Sequence, residues 1–597
     1  MAHSLLAVTS FIAFWLSPCA AAPANVCKCA PIDPCWPSSA TWSRLNATVH
    51  GQLIKTTPIA VSCYTGSEFN PATCASVDAQ WTDARFQALS PIGLDYPINT
   101  TCPPVNLTTT QTPAGTDCTL GTNPWYAVNA TSASDVSAAV DFARENTIRL
   151  VIKTTGHDIL GRSDGYGSLE IWLKYLRNGI QYIPSYSVPG GNWTGAAISI
   201  IGGYTWDDVY PIAQQHNVVV VGGGTPSVST SGGWMQGGGH GPASRTYGLG
   251  ADQVLSAEVV LADGSIITAS PSQNQDVFFA IRGGGPGTYG VVTKTVIKAH
   301  PMTNVTVQHL AIAPLTTNIS ALLDAVTILF HDFPDLNDAG YAGYGTWAIS
   351  EPTPLFANFT AGYVHGIYMM NSTLITAEAA FTQTLEKLQQ YNTTSLFISL
   401  SYLTYPDYWS FYHAESGVES PAGSPGVLTS SLFSRHSVQS SPSSLRRMIE
   451  TIAGTPNQYT TNALELVSGG AVFDPAAYGR YSGVNSAWRR SYFNNIVARG
   501  LPPNANTTAQ KAIWDDIQAK GRAMKELAPE TGVYMNEADR LDPEFEADFY
   551  GQHYKRLLGI KHARDPKAVF YCPTCVGSGE WEDGSGEGEG RLCRVTS

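Results

Sequence analysis

The sequence predicts an α+β protein of more than one domain, and three observations carry that prediction. From Pro124 to about His300, short β-branched runs alternate with helical patterns. Beyond His300-Pro301, a second mixed region rich in Tyr, Phe and Trp extends to about residue 525. The cysteines lie only at the two ends of the chain, with none between Cys118 and Cys572, so the ends are expected to meet in space.

The chain opens with an apolar run from Leu5 to Leu16, followed by Pro18 and Cys19-Ala20-Ala21-Ala22, which reads as a secretory signal peptide over 1–22. That run is too short to span a bilayer, and no later run is long enough. Sequons at Asn46, Asn99, Asn106, Asn129, Asn192, Asn304, Asn318, Asn358, Asn371, Asn392 and Asn506 point the same way, to a secreted, extracellular glycoprotein. With 14% charged and 43% hydrophobic residues the chain is globular. Its net charge of -13 argues against a nucleic-acid partner and for a small-molecule substrate.

Removing Cys19 from the 11 cysteines leaves an even set. Cys27, Cys29, Cys35, Cys63, Cys74, Cys102 and Cys118 lie in front and Cys572, Cys575 and Cys593 behind. Both groups are odd, so full pairing needs at least one bridge between the ends. In an oxidising compartment Cys572-Pro573-Thr574-Cys575 is read as structural rather than redox-active. No second C-x-x-C or H-x-x-x-H accompanies it, so no metal is expected. Residues 23–118 read as a stapled, Pro- and Thr-rich lead-in rather than a helical domain.

Ser132 is the expected N-cap of a helix with Val136, Ala139, Val140 and Ala143 on one face. The strand Ile148–Ile152 follows, then a glycine-punctuated loop, then a second strand from Ser168 to Leu173. Such a loop can aim successive backbone N–H groups into one concavity suited to a pyrophosphate, and it carries the imidazole of His157. Gly161-Arg162-Ser163-Asp164-Gly165 also fits the nucleophile elbow of serine hydrolases, so Ser163 is the alternative catalytic residue. No strand runs directly into that serine and no helix leaves it, which argues against the hydrolase.

A strand at Ala196–Ile201, a helix from Trp206 to Gln215 and a strand at Val218–Val221 come next. Then glycines crowd from Gly222 to Gly241, as expected where backbone lies against something flat such as a bound ring system. A hairpin turns at Ala262-Asp263-Gly264. Gly285-Pro286-Gly287-Thr288-Tyr289-Gly290 is a literal G-x-G-x-x-G, but a helix end precedes it and a strand follows, the reverse of a Rossmann fingerprint. In the second region, helices are expected near Ala321–Phe330 and Ala377–Tyr391. The aromatics Tyr341, Tyr344, Trp347, Tyr402, Tyr405, Tyr408, Trp409, Phe411 and Tyr412 are either core or a substrate wall. A last amphipathic helix is expected from Phe545 to Lys561, before a loose Gly- and Glu-rich tail from Gly577 to Gly590.

Gly156-His157 with Gly161-Arg162-Ser163, Ser231-Gly232-Gly233, Tyr247-Gly248-Leu249-Gly250-Ala251-Asp252, Arg282 through Gly290-Val291-Val292, and Tyr534-Met535-Asn536 together resemble the berberine-bridge-enzyme-like branch of the vanillyl-alcohol-oxidase family, which has a PCMH-type FAD-binding domain. The likeness runs in order from about 119 to 575, and the Asp33-Pro34-Cys35-Trp36-Pro37 lead-in looks like secreted fungal members. The resemblance implies a bipartite FAD domain, 119–300 and 526–597, around an inserted substrate domain, 301–525. It implies FAD bonded to His157 through its 8α-methyl carbon, with Thr154, Thr155, Gly156, Asp158, Gly161, Arg162 and Ser163 around the pyrophosphate. Thr225, Gly232, Gly233, Val292 and Asn536 would approach the ring system.

Two departures from the family pattern matter. Where many relatives add a second flavin bond from a Cys, this chain has Thr225, so a single covalent link is expected. Where relatives place a Tyr after the Asn, it has Glu537, a carboxyl that burial beside a flavin could tune for proton transfer. Tyr534 and Glu465 are the other acid–base candidates. The expected enzyme is a secreted FAD-linked oxidoreductase, with molecular oxygen as the electron acceptor; the alternatives are a secreted serine hydrolase using Ser163 and a catalytically inactive flavin-binding protein. Neither the donor nor the oligomeric state is specified.

Overall fold

The computed structural model describes residues 27–595 apart from 99, 108–117, 418, 420, 475–481, 503–505 and 585–589. The signal-peptide reading and the sequon at Asn99 lie outside the described residues. Three larger sheets organise the rest.

The first sheet has four strands in the order Leu53–Lys55, Tyr126–Asn129, Leu169–Trp172 and Leu150–Lys153. The last three are parallel, and Leu169–Trp172 is buried at every position, as a parallel strand covered on both faces must be. The crossover helix Ala133–Asn146 starts as expected: Ser132 and Asp135 form a capping box, and Val136, Ala139, Val140 and Ala143 are buried on one face. The N-terminal segment is more than a staple. It contains the helices Ser39–Thr48 and Pro71–Gln80, and its strand Leu53–Lys55 pairs antiparallel with Tyr126–Asn129.

The second sheet is antiparallel, in the order Arg177–Ser187, Thr194–Gly202, Val291–Lys298, Val254–Val260 and Ile266–Ala269. The helix Trp206–Gln215 is present. Val218–Val221 is buried throughout, but only Val218–Val219 is strand, paired with His300–Pro301.

The third sheet has seven antiparallel strands. The helices Ser320–Ala339, Leu374–Gln389, Pro442–Ala453 and Thr507–Leu527 contribute to its hydrophobic core. The first runs past its expected end at Phe330 and through Pro334, because Phe333, Pro334 and Leu336 are buried and packing outweighs the proline's missing donor. Tyr341 and Trp347 belong to this core, and Tyr408, Trp409, Phe411 and Tyr412 to a second one against Trp206 and Tyr210. These six are core, whereas Tyr344 belongs to neither cluster and its ring lies 6.3 Å from that of His240.

The chain then returns to the first two sheets. The helix expected over Phe545–Lys561 is split into Phe545–Tyr550 and Tyr554–Arg564. Gly551 between them has φ of 55°, and a Cβ there would lie 2.6 Å from Asn485 Oδ1. The ends meet as the cysteine count requires: Cys27 is bonded to Cys593, while Cys29–Cys35, Cys63–Cys74, Cys102–Cys118 and Cys572–Cys575 close locally. The tail is not loose throughout, since Trp581–Asp583 pairs with Leu592–Arg594. Among the described residues no helix is long and apolar enough to cross a membrane.

Candidate active site

Between Lys153 and Leu169 the chain leaves one parallel strand and rejoins the next, and the loop is fixed from behind. Gly156 has φ of 109°, and a Cβ there would sit 2.6 Å from the carbonyl oxygen of Gly93, so only glycine lets the N-terminal segment pack against the loop. The next residue, His157, has Nδ1 2.8 Å from Asp95 Oδ2 and Nε2 2.6 Å from Ser227 Oγ. Asp158 accepts from Arg162 Nε at 2.6 Å. Arg162 donates through Nη2 to Asn536 Oδ1 at 2.9 Å, which ties the loop to the returning C-terminal segment.

These elements enclose a cavity of about 420 Å³. Thr154, Thr155, Gly156, His157, Asp158, Arg162 and Ser163 line it from the loop, and Thr225, Gly232, Gly233, Val292 and Asn536 from the other sides. Gly161 does not: its φ of 73° turns the chain, and a Cβ there would meet Ile98 at 2.7 Å. The glycine run divides its tasks. Gly233 opens to the cavity, where a Cβ would approach nothing nearer than Pro286 at 3.9 Å, whereas Gly237 and Gly239 are filled by Asn536 and Trp234. A planar ring lying on bare backbone, and a loop of N–H groups beside a histidine, fit FAD. Ser163 stands in a turn with neither an incoming strand nor an outgoing helix, and the ring nitrogens of His157 contact other residues, so the hydrolase constellation is not assembled.

The same cavity is also lined by Tyr534, Glu465 and Glu537. Glu465 belongs to the strand Thr461–Leu466, whose Leu464 and Leu466 enter the helical core, so alternation turns Glu465 to the opposite face. Asn494, its register partner on Ser491–Gly500, donates to Glu465 Oε2 at 3.0 Å and to Glu537 Oε2 at 3.3 Å. A fourth group joins them that the sequence reading did not select. His240 Nε2 is 3.2 Å from Glu465 and 3.5 Å from Glu537. Its signal was present, as a lone imidazole inside Gly237-Gly238-Gly239-His240-Gly241.

Proton affinities in this cluster are pushed apart. Burial alone would lower His240, but the charges of Glu465 and Glu537 outweigh it and raise the imidazole to about 10. Burial, then the neighbouring charge of Glu465, raises Glu537 to about 8. Glu465 is pulled the other way: burial opposes ionisation, yet His240 and the surrounding hydrogen bonds hold it below the usual carboxylate range. The two carboxyls therefore share one proton beside a cation. Their ligand atoms and that of His240 lie within 4.8 Å of one another, which would also suit a metal. Asn494's hydrogen bonds to both carboxyls favour proton sharing. Tyr534 is driven far up by burial and accepts from Asn536 Nδ2 at 2.7 Å, so its phenol stays neutral.

A nucleotide-loop cavity ending in a proton-sharing cluster, walled by a separate antiparallel sheet, defines a flavin-dependent oxidoreductase. Comparison with known proteins gives the family. The FAD binding domain model matches residues 124–270, and the berberine and berberine-like model matches 533–577. The FAD-linked oxidoreductase hmp9 of Hypomyces subiculosus is 48% identical over 95% of this chain and 90% of its own. The crystal structure of the VAO-type flavoprotein MtVAO713 from Myceliophthora thermophila C1 superposes with a TM-score of 0.92 at 44% identity, over 96% of this chain and 100% of that one. The glucooligosaccharide oxidase of Acremonium strictum, which carries a 6-S-cysteinyl, 8α-N1-histidyl FAD, shares the fold at 18% identity and a TM-score of 0.58, over 76% of this chain and 92% of its own. The chain belongs to the berberine-bridge-enzyme-like branch of the VAO-type FAD-linked oxidoreductases.

Proposed function

We propose that this enzyme acts outside the cell as an oxidase of a small organic donor (an alcohol, sugar, phenolic or amine, including secondary metabolites), using FAD bonded to His157. The observation that carries the reading is that Glu465 and Glu537 line the same cavity as the His157 loop, with His240 against both carboxyls. FAD, when bound, supplies the hydride acceptor and passes the electrons to oxygen as hydrogen peroxide.

The protein's own residues do the rest. Thr154, Thr155, Gly156, Asp158 and Ser163 would hold the pyrophosphate, with Arg162 held by Asp158. Gly232, Gly233 and Val292 would hold the ring system, as would Asn536, which is fixed by Arg162, Tyr534 and the carbonyl of Gly233 at 3.2 Å. Glu465, ionised, accepts the proton of the donor's O–H or N–H, and His240 balances its charge. Glu537 keeps its proton at neutral pH and hydrogen-bonds the donor. Thr225 offers no thiol, which supports a single covalent link.

Anaerobic mixing with a donor panel, followed by air, tests the reading. The expected result is bleaching of the flavin absorbance by at least one donor and its return with peroxide on aeration. The purified protein should be yellow, and the colour should stay with denatured parent but leave denatured His157→Ala. Colourless, fully folded protein made with ample riboflavin would sink the proposal.

A further inference from the structure

The surroundings of His157 contain a proton-accounting problem that the oxidation reaction does not use. A carboxylate can only accept, so the 2.8 Å contact between Asp95 Oδ2 and Nδ1 requires a hydrogen on that nitrogen. Ser227 has one hydroxyl hydrogen, and it donates it to Glu419 Oε2 at 2.6 Å. Its oxygen is then left to accept at 2.6 Å from Nε2, which must also carry a hydrogen. Held this way, the ring has no lone pair in its plane and cannot bond to carbon until it loses a proton.

Two carboxylates stand ready to take one. Asp95 is 2% exposed, and its second oxygen, Oδ1, is buried with no hydrogen-bond partner among the described residues. Glu419 lies behind Ser227 and is paired with Arg85 at 3.1 Å. Asp95 and Arg85 come from the disulfide-closed N-terminal segment, and Glu419 from the loop before the strand Gly426–Ser434. Neither carboxylate lies within residues 124–270, which match the FAD binding domain model. Asp95 is also positioned by the backbone: its N–H donates to the Gly156 carbonyl at 3.0 Å, and its own carbonyl accepts from Gly423 at 2.7 Å.

We propose that Asp95 is the residue that makes His157 reactive toward the cofactor: it takes the ring proton so that the imidazole can bond to the flavin's 8α carbon, with Ser227 and Glu419 holding the opposite nitrogen. This rests on the link to His157 proposed above. In the balanced step, one ring N–H and one C–H of the 8α-methyl group are lost and one N–C bond forms. Asp95 receives the ring proton, while the methyl proton and the two electrons stay with the reduced flavin. The two electrons remain on the flavin until molecular oxygen takes them up, together with the two protons, as hydrogen peroxide. Asp95 is a positioning and proton-accepting residue for this one event.

The full-length chain is produced flavin-free, mixed with FAD in air, and sampled on denaturing gels for flavin fluorescence and by intact mass for the FAD adduct. Asp95→Asn is expected to bind flavin yet form the adduct about 100-fold more slowly, the scale of a lost general base. Glu419→Gln and Ser227→Ala should slow it less. Without oxygen, the parent should stop with its flavin reduced. A folded Asp95→Asn protein that forms the adduct at the parent's rate overturns the proposal. Should that variant fail to fold, an unchanged rate in Glu419→Gln overturns the two-carboxylate arrangement. A parent with no adduct, or an adduct surviving in His157→Ala, would instead refute the underlying link and is read separately.

Discussion

Glu465 and Glu537, 72 residues apart in sequence, are held by the same amide: Asn494 Nδ2 donates to one at 3.0 Å and to the other at 3.3 Å. Like charges this close do not both ionise at moderate cost, so one proton is shared and the pair titrates as a unit. Glu465 is below the usual range and Glu537 at about 8, which defines a window in which one group is charged and its neighbour neutral.

Activity should follow that window. kcat/KM is expected to fall on the acid side as Glu465 gains a proton and on the alkaline side, near pH 8, as Glu537 loses one. Glu465→Gln should cost about 100-fold or more in kcat. Glu537→Gln should keep measurable turnover and lose the alkaline limb. His240→Gln removes the positive charge that holds Glu465 down, so the acid limb should move to higher pH. Dialysis against a chelator should change none of this, and chelator-sensitive turnover would favour the metal reading of the same three side chains.

Asn536 depends on a missing methyl group. A Cβ on Gly237 would lie 2.3 Å from Asn536 Oδ1 and 2.5 Å from its Nδ2, and Asn536 is the residue that Arg162 reaches from the loop. Gly237→Ala should therefore rotate the amide away and break the junction between the loop and the C-terminal segment. The expected loss is about 100-fold in kcat with the fold retained, the scale of a small misplacement in a reacting site. Unchanged flavin spectra and kinetics in this variant would remove Asn536 from the account.

What was legible in the sequence was local. Gly156-His157 after an apolar strand, the Ser132 cap and the odd cysteine counts each need only neighbouring residues or parity. What was not legible was contact between distant segments. Asp95 meets His157 because Gly93 packs on Gly156, and no periodicity marks that approach. His240 was visible as a residue but not as a member of the acid–base cluster, because its partners come from two other segments. The helix over Phe545–Lys561 had the right apolar spacing, yet Asn485 against Gly551 decides where it breaks.

The bond between Cys27 and Cys593 joins ends 566 residues apart and anchors the hairpin of Trp581–Asp583 with Leu592–Arg594. Replacing both cysteines with serine should cost about 2–4 kcal/mol of stability. The flavin pocket lies elsewhere, so covalent flavin content should stay at the parent's level. Limited proteolysis should then cut first near the C-terminus. A variant that loses its flavin while that end stays protected would contradict this division of labour.

Glu170 should make the folded protein less stable as pH rises from about 5 to 8. The residue is fully buried in the parallel strand Leu169–Trp172, and neither carboxyl oxygen has a hydrogen-bond partner among the described residues. Burial, opposed by the charge of Lys153 and reinforced by that of Asp164, raises it to about 8. A carboxyl with a folded pKa above its unfolded one binds more protons in the folded state. Its contribution is therefore complete below the unfolded value of 4.5 and is lost as pH climbs through about 8. Lys153, lowered to about 8 by burial against the charges of Glu170 and Asp95, works in a different interval. Its stabilising share is complete above its unfolded value of 10.5 and is lost as pH falls through about 8, so it adds little slope between pH 5 and 8. Glu537, also raised to about 8, slopes the same way as Glu170. Calorimetry across pH 5 to 8 should show a falling Tm in the parent, a shallower fall in Glu170→Gln and a still shallower one when Glu537→Gln is added. An equal slope in the parent and Glu170→Gln would show that this buried carboxyl does not hold its proton in the folded protein.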